Sequence, residues 1–178
     1  MFVVSCLLIV VGSLQYLRLQ LKKTTNHKPQ TTNHKQQTKN VMSDTITTDK
    51  AAVPLGVYPH AKRVGNLLFL SGIGSRSAID NTIPGLKLDD KGNKIGHDIE
   101  AECHACFANV REILIASGSS WDKIVDVTVF LTDMQHDFPI FNKIYANYFQ
   151  SVQATRTTVE VRTLPTPISI ELKVIASV

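Results

Sequence analysis

Two stretches of this chain repeat apolar residues at intervals of three and four, and each does so on one face only. From Asp98 to Ser117 the stripe is Ile99, Cys103, Cys106, Phe107, Val110, Ile113 and Leu114, which predicts an amphipathic helix. Asp98 suits its N-cap, Glu100 and Glu102 suit the positive end of its dipole, and Gly118 suits its stop. The second stripe is Phe138, Phe141, Ile144, Tyr145, Tyr148 and Phe149, predicting a helix capped by Asp137 with Pro139 in its first turn. A helix with one stripe has to bury it against another layer.

That layer is predicted to be a sheet. Ala61–Val64 and Leu67–Ser71 flank Gly65-Asn66, the pattern of a hairpin. Ile124–Leu131, IVDVTVFL, is β-branched enough to be buried on at least one face. Arg156–Arg162 alternates, with Val159 and Val161 as its apolar side, and Ile168–Ile175 alternates with Ile168, Ile170, Leu172 and Val174. The expected order is β-β-α-β-α-β-β, an α+β domain in which two helices cover one face of a mixed sheet. The uncovered face would then present Arg156, Thr158, Glu160, Arg162, Glu171 and Lys173. It is either a wet, salt-bridged surface or the lining of an interface or cleft. Between the hairpin and the first helix, residues 72–96 form a Gly-, Asp- and Asn-rich excursion, and long loops in compact domains are usually functional.

Charge separates this domain from what precedes it. Residues 1–41 carry Arg18, Lys22, Lys23, Lys28, Lys35 and Lys39 and no acid, leaving 13 basic and 15 acidic side chains, a net of −2, for the rest. A mildly acidic domain argues against a nucleic-acid surface. Residues 1–23 are an apolar segment whose uninterrupted part, Phe2–Leu14, is short for a membrane span and has no basic residue ahead of it. Residues 24–51 read as a basic, polar, disordered linker that contains TTNHK twice. The composition turns globular after Met42-Ser43-Asp44, so residues 1–41 are an anchor, a targeting extension, or sequence ahead of a true start at Met42. A cytoplasmic location is expected, with a mitochondrial or membrane-anchored one if the extension is genuine.

Cys6, Cys103 and Cys106 form no disulfide framework. Cys103 and Cys106 bracket His104, but no second ligand pair exists and both lie on the apolar helix face. They are expected to be core residues and not zinc ligands. No Gly-rich phosphate loop occurs either.

Several stretches resemble the RidA (YjgF) family: Leu55-Gly56-Val57-Tyr58, Leu70-Ser71-Gly72, IVDVTVFLTDM, FNKIYANYF, ATRTTVEV with Leu164-Pro165, and ISIELKVIA. Together they span residues 52–178, the expected domain. A narrower likeness lies in Tyr58-Pro59-His60-Ala61-Lys62-Arg63-Val64-Gly65, Ser75-Arg76 and Asp80-Asn81-Thr82-Ile83-Pro84-Gly85. These resemble the 2-aminomuconate deaminase branch.

The resemblance implies a chorismate-mutase-like fold and a homotrimer with active sites between subunits, which would make the polar sheet face a lined cleft. It implies cofactor-free hydrolysis of an enamine or imine beside a carboxylate, most specifically 2-aminomuconate, with release of ammonia and with no metal. Arg156 matches the carboxylate-binding arginine, for which a guanidinium fork is apt. Glu171 matches the acid that activates water, and Tyr58, Ser71, Gly72, Asn142 and Thr158 match pocket positions. Thr158 stands where typical members carry a cysteine, which removes a reactive thiol. A dicarboxylate needs a second cation, for which Arg76 is the first candidate and Arg162 the second. The alternatives are a general 2-iminopropanoate or 2-iminobutanoate deaminase, or a non-catalytic binding or chaperone-like relative.

Overall fold

The structure is a computed structural model that describes residues 43–178. The expectations about the apolar segment and about residues 24–42 lie outside the described residues. No described helix is long and apolar enough to cross a membrane.

The elements run β1 (Ser43–Ile46), β2 (Ala61–Val64), β3 (Leu67–Leu70), β4 (Ile73–Gly74), β5 (Lys87–Leu88), β6 (Lys94–Gly96), α1 (Ile99–Ala116), β7 (Ile124–Leu131), α2 (Met134–Phe149), β8 (Thr155–Glu160) and β9 (Ile170–Ser177). The main sheet has seven strands in the order β1-β2-β3-β9-β7-β8, with β4 also paired to β9. All its pairs are antiparallel except β7–β8, which α2 joins as a crossover. The expected α+β plan with a mixed sheet is the one observed. Its buried face is Leu68, Leu70, Val127, Val129, Leu131, Ile170, Leu172 and Val174, closed over by the stripes of α1 and α2. Each such side chain contributes about 1.5–3 kcal/mol by leaving water.

Local chemistry explains most of the boundaries. Gly65 turns the β2–β3 hairpin at φ 60°, a conformation open to glycine. Asp98 caps α1 by accepting from the N–H groups of Glu100 and Ala101, and past its end Gly118 at φ 72° lets Ser119 N–H reach the Leu114 carbonyl at 2.9 Å.

Three expectations need correction. Residues 43–51 were expected inside a disordered linker, yet Ser43–Ile46 pair with β2 and Ile46 packs on the core. Ile46 gives this run an apolar side chain to bury, which the polar tract of residues 24–40 lacks. The second helix starts at Met134, capped by Asp133 and not by Asp137, so Pro139 lies inside it. Two aspartates four residues apart both fit a cap, and only Asp133 receives the His136 N–H, at 3.0 Å. Asp137 is instead buried and meets His97 Nε2 at 2.9 Å.

The third correction concerns the sheet faces. β7 sets the register of β8, placing Arg156 beside Val127 and Thr158 beside Val129, on the helix-covered side. Glu171 pairs with Phe130 and Lys173 with Thr128, on the open side. Arg156, Thr158 and Glu160 therefore do not share a face with Glu171 and Lys173. Val159 points to the open side and is 37% exposed. The valine alternation misleads because β8 is an edge strand whose inner side is roofed by aromatic rings, which accept a guanidinium as readily as an aliphatic group. The open face is more apolar than expected and carries Leu67, Phe69, Phe130, Val159 and Ile175.

Candidate active site

The residues expected at a site fall into two groups on one chain. The first surrounds Arg156 at the β8 edge. Its Cζ lies 4.5 Å from the ring centroid of Tyr145, 5.6 Å from Phe141 and 5.9 Å from Phe138. Those three rings form one flank of α2, so helical spacing presents them together. Among the described residues the Arg156 guanidinium has no ion pair and no hydrogen bond. Thr158 Oγ1 and Tyr145 OH are buried beside it without a hydrogen-bond partner. Asn142 is exposed on α2, one turn from both Phe138 and Tyr145. A half-buried, unpaired guanidinium over aromatic faces has the chemistry to receive an anion.

The second group lies where β3 gives way to β4. Tyr58, His60, Ser71, Gly72, Gly74, Arg76 and Asn109 line a hollow of about 30 Å³, room for a water molecule. Ser71 Oγ donates to the Pro59 carbonyl at 2.6 Å, and Tyr58 OH accepts from Leu55 N–H at 3.2 Å. Buried His60 pins the incoming segment: Nδ1 accepts from Thr48 N–H at 3.2 Å and Nε2 donates to the Ala52 carbonyl at 3.0 Å. The Glu171 carboxylate lies against Gly72, where any side chain would meet it. Burial raises the Glu171 pKa above the usual glutamate value, and nearby Lys173 only partly opposes this. A carboxyl group tuned that way can exchange a proton closer to neutral pH.

The two proposed second cations are placed differently. Arg76 lines the hollow, but Nη1 donates to Asn81 Oδ1 and Nη2 to the Val53 carbonyl, each at 2.7 Å. It thereby ties the 77–82 loop to the segment leading into Tyr58. Asn81, at φ 62°, holds the left-handed turn that loop requires. Arg162 is exposed and lines a separate groove with Lys94 and His97.

Sequence reasoning missed Glu102. Read as a helix-dipole acid, it is wholly buried and accepts from Ser75 Oγ at 2.7 Å, Ser169 N–H at 2.8 Å and Ser169 Oγ at 2.7 Å. Lys94 Nζ donates to Ser169 Oγ at 2.7 Å. Ser75 follows Gly74, the strand partner of Glu171, and Ser169 precedes Glu171 by two residues. Glu102 thus anchors both strands around that carboxylate. The available signal was its position on the stripe, three residues after Ile99 and beside Cys103. The cysteines are core residues: both are fully buried, and burial raises the Cys103 thiol to about 12.

Known proteins agree with this fold. The Endoribonuclease L-PSP family model matches residues 48–178. Reactive Intermediate Deaminase A of Arabidopsis thaliana is 30% identical over 94% of this chain and 83% of its own length. A RutC family protein of Sulfurisphaera tokodaii is 38% identical over 75% of this chain and 98% of its own. Among solved structures, RidA from a Psychrobacter species superposes with a TM-score of 0.65 at 27% identity, covering 76% of this chain and 99% of that one. The E. coli TdcF structure with bound serine gives 0.64 at 29%, covering 75% and 98%. By sequence over residues 48–178 and by fold alike, the chain belongs to the Endoribonuclease L-PSP family, the family of the RidA proteins.

Proposed function

We propose that this protein is a cofactor-free hydrolytic deaminase of an enamine or imine carboxylate, with 2-aminomuconate as its substrate. The observation that carries the reading is the unpaired Arg156 guanidinium, set among aromatic rings and two hydroxyls that lack partners. It would hold the substrate carboxylate bidentately. Once the enamine has tautomerised, water adds to the C=N carbon. Glu171 takes a proton from that water and passes it to the nitrogen, giving a carbinolamine; it then moves the hydroxyl proton to the same nitrogen, the C–N bond breaks, and ammonia leaves behind a ketone. The raised proton affinity of Glu171 suits both transfers.

Arg156 and Glu171 face opposite sides of one sheet, so a site using both takes one from each of two chains. The apolar open face, with Leu67 and Phe69 exposed, supports packing against other copies and a homotrimer with sites between subunits. Asn142 and Thr158 would line the Arg156 side, and Tyr58, Ser71 and Gly72 the Glu171 side. The similarity to a reactive intermediate deaminase supports the reaction class.

The branch assignment rests on Arg76 as the clamp for the second carboxylate. One observation favours the broader reading, a deaminase of 2-iminopropanoate and related imino acids: both terminal nitrogens of Arg76 already donate within the chain. Ammonia release by the full chain from 2-aminomuconate and from 2-iminopropanoate tests both, with Arg156→Ala and Arg76→Ala beside it. The deaminase reading predicts turnover that Arg156→Ala abolishes, and it fails if neither substrate is turned over faster than without protein. The 2-aminomuconate reading predicts that Arg76→Ala raises KM for the dicarboxylate alone.

A further inference from the structure

Tyr145 belongs, by its spacing, to the packing stripe of α2, and its ring does pack. It lies parallel to Phe149, with centroids 3.9 Å apart and planes 5° apart, while Arg156 Cζ stands 4.5 Å from its centroid. The ring is thus held between a phenyl group and a guanidinium. Its hydroxyl has no such explanation. Tyr145 is 8% exposed, and its OH meets no hydrogen-bond partner. Buried hydroxyls are nearly always paired, because an unpaired one keeps the full cost of leaving water. Among the described residues the side-chain atoms in this condition are Tyr145 OH and Thr158 Oγ1, and both sit in the cluster around Arg156. Two unpaired hydroxyls and an unpaired cation in one place make a set of donors suited to an anion.

We infer that the Tyr145 hydroxyl is a ligand-binding donor, which with Arg156 and Thr158 completes the receptor for the substrate's carboxylate. This rests on the reading of Arg156 as the carboxylate holder. Burial raises the phenol's pKa above its usual value, against the opposing pull of Arg156, so it keeps its proton at neutral pH. It can therefore donate to a carboxylate oxygen and does not repel it. In the chain by itself both hydroxyls are closed to solvent, and the Arg156 side chain lies over the Tyr145 ring with no hydrogen bond to hold it there. A carboxylate that draws the guanidinium outward uncovers them.

Tyr145→Phe separates this role from packing, because ring and stacking are kept while one oxygen is lost. The full chain, Tyr145→Phe and Arg156→Ala are titrated calorimetrically with pyruvate, an unreactive 2-oxo acid, and their thermal midpoints are measured without ligand. The expected signature has opposite signs. Tyr145→Phe melts higher by about 2–5 °C, since an unsatisfied buried group is gone, and binds pyruvate ~10-fold more weakly, since a charge-assisted hydrogen bond is gone. If Tyr145→Phe binds as the parent does while Arg156→Ala does not, the hydroxyl has no ligand role and the carboxylate reading stands. Pyruvate binding equally to Arg156→Ala and the parent, or to neither, overturns the carboxylate reading, and the role of Tyr145 falls with it.

Discussion

Arg156 and Glu171 stand on opposite faces of one sheet, Arg156 in register with Val127 beneath the helices and Glu171 in register with Phe130 on the open side. A strand's successive side chains point to opposite faces, so no small rotamer change brings these two together. If both serve one reaction, the partners come from different chains. Co-expressing Arg156→Ala with Glu171→Gln, each inactive alone, should then restore activity. Random assembly of a cyclic trimer leaves ~25% of sites with both groups intact. Ammonia release from the co-purified mixture measures this, and a mixture as inactive as its components would place the site within one chain.

Glu171 should impose a pH dependence on both activity and stability. Burial disfavours its carboxylate, so the folded chain holds the proton more tightly than the unfolded chain does. That preference favours folding fully below the ordinary glutamate value and is lost as pH rises through the raised value. Glu171→Gln, neutral throughout, is expected to melt higher than the parent at pH 7 and to lose that advantage near pH 4. Its kcat should fall about 10²–10³-fold, in the range for losing a general acid–base group. Melting curves across this interval, paired with rate profiles, check both effects. A constant difference in midpoint at every pH would mean that Glu171 is not the group responsible.

Gly72 is the position where space is tightest around the same carboxylate. A Cβ there would stand 2.7 Å from the Glu171 carboxyl carbon and closer still to one oxygen. Gly72→Ala is expected to displace that side chain, lowering kcat more than 10-fold at little cost in stability, because the clash is with the free end of a flexible side chain. Steady-state rates alongside urea unfolding separate the two consequences. Full activity in Gly72→Ala would show that the position of the Glu171 carboxylate does not matter.

The two helices and the β2–β3 hairpin were legible because their signals are local. The stripe from Ile99 to Leu114, the Asp98 cap and the Gly65-Asn66 turn each act within a few residues. What escaped depends on partners distant in sequence. The facing of Arg156 is decided by its register with Val127 and by rings on α2, and the cap of α2 by which aspartate His97 occupies. The opposite facing of Arg156 and Glu171 was illegible for the same reason, since alternation within β8 says which residues share a face but not which face is covered.

Glu102 has the same kind of distant partners, and they make it the most consequential polar residue in the core. Its two oxygens accept from Ser75 and twice from Ser169, and the residue is completely buried. Glu102→Ala leaves two hydroxyls and a backbone N–H without an acceptor, a loss of about 2–4 kcal/mol, or roughly 5–15 °C in Tm. Glu102→Gln retains an acceptor oxygen and about the same volume, so it should lose only about 1 kcal/mol, the difference between charged and neutral acceptors. Because Ser75 and Ser169 flank the Gly74–Glu171 pair, the alanine variant should also speed amide exchange at Ile170 and Glu171 well before global unfolding. Urea unfolding and residue-resolved hydrogen exchange read these two effects independently. An alanine variant as stable as the parent would mean that the three hydrogen bonds contribute nothing net. Unchanged exchange at Glu171 would mean that the anchor does not reach the carboxylate it brackets.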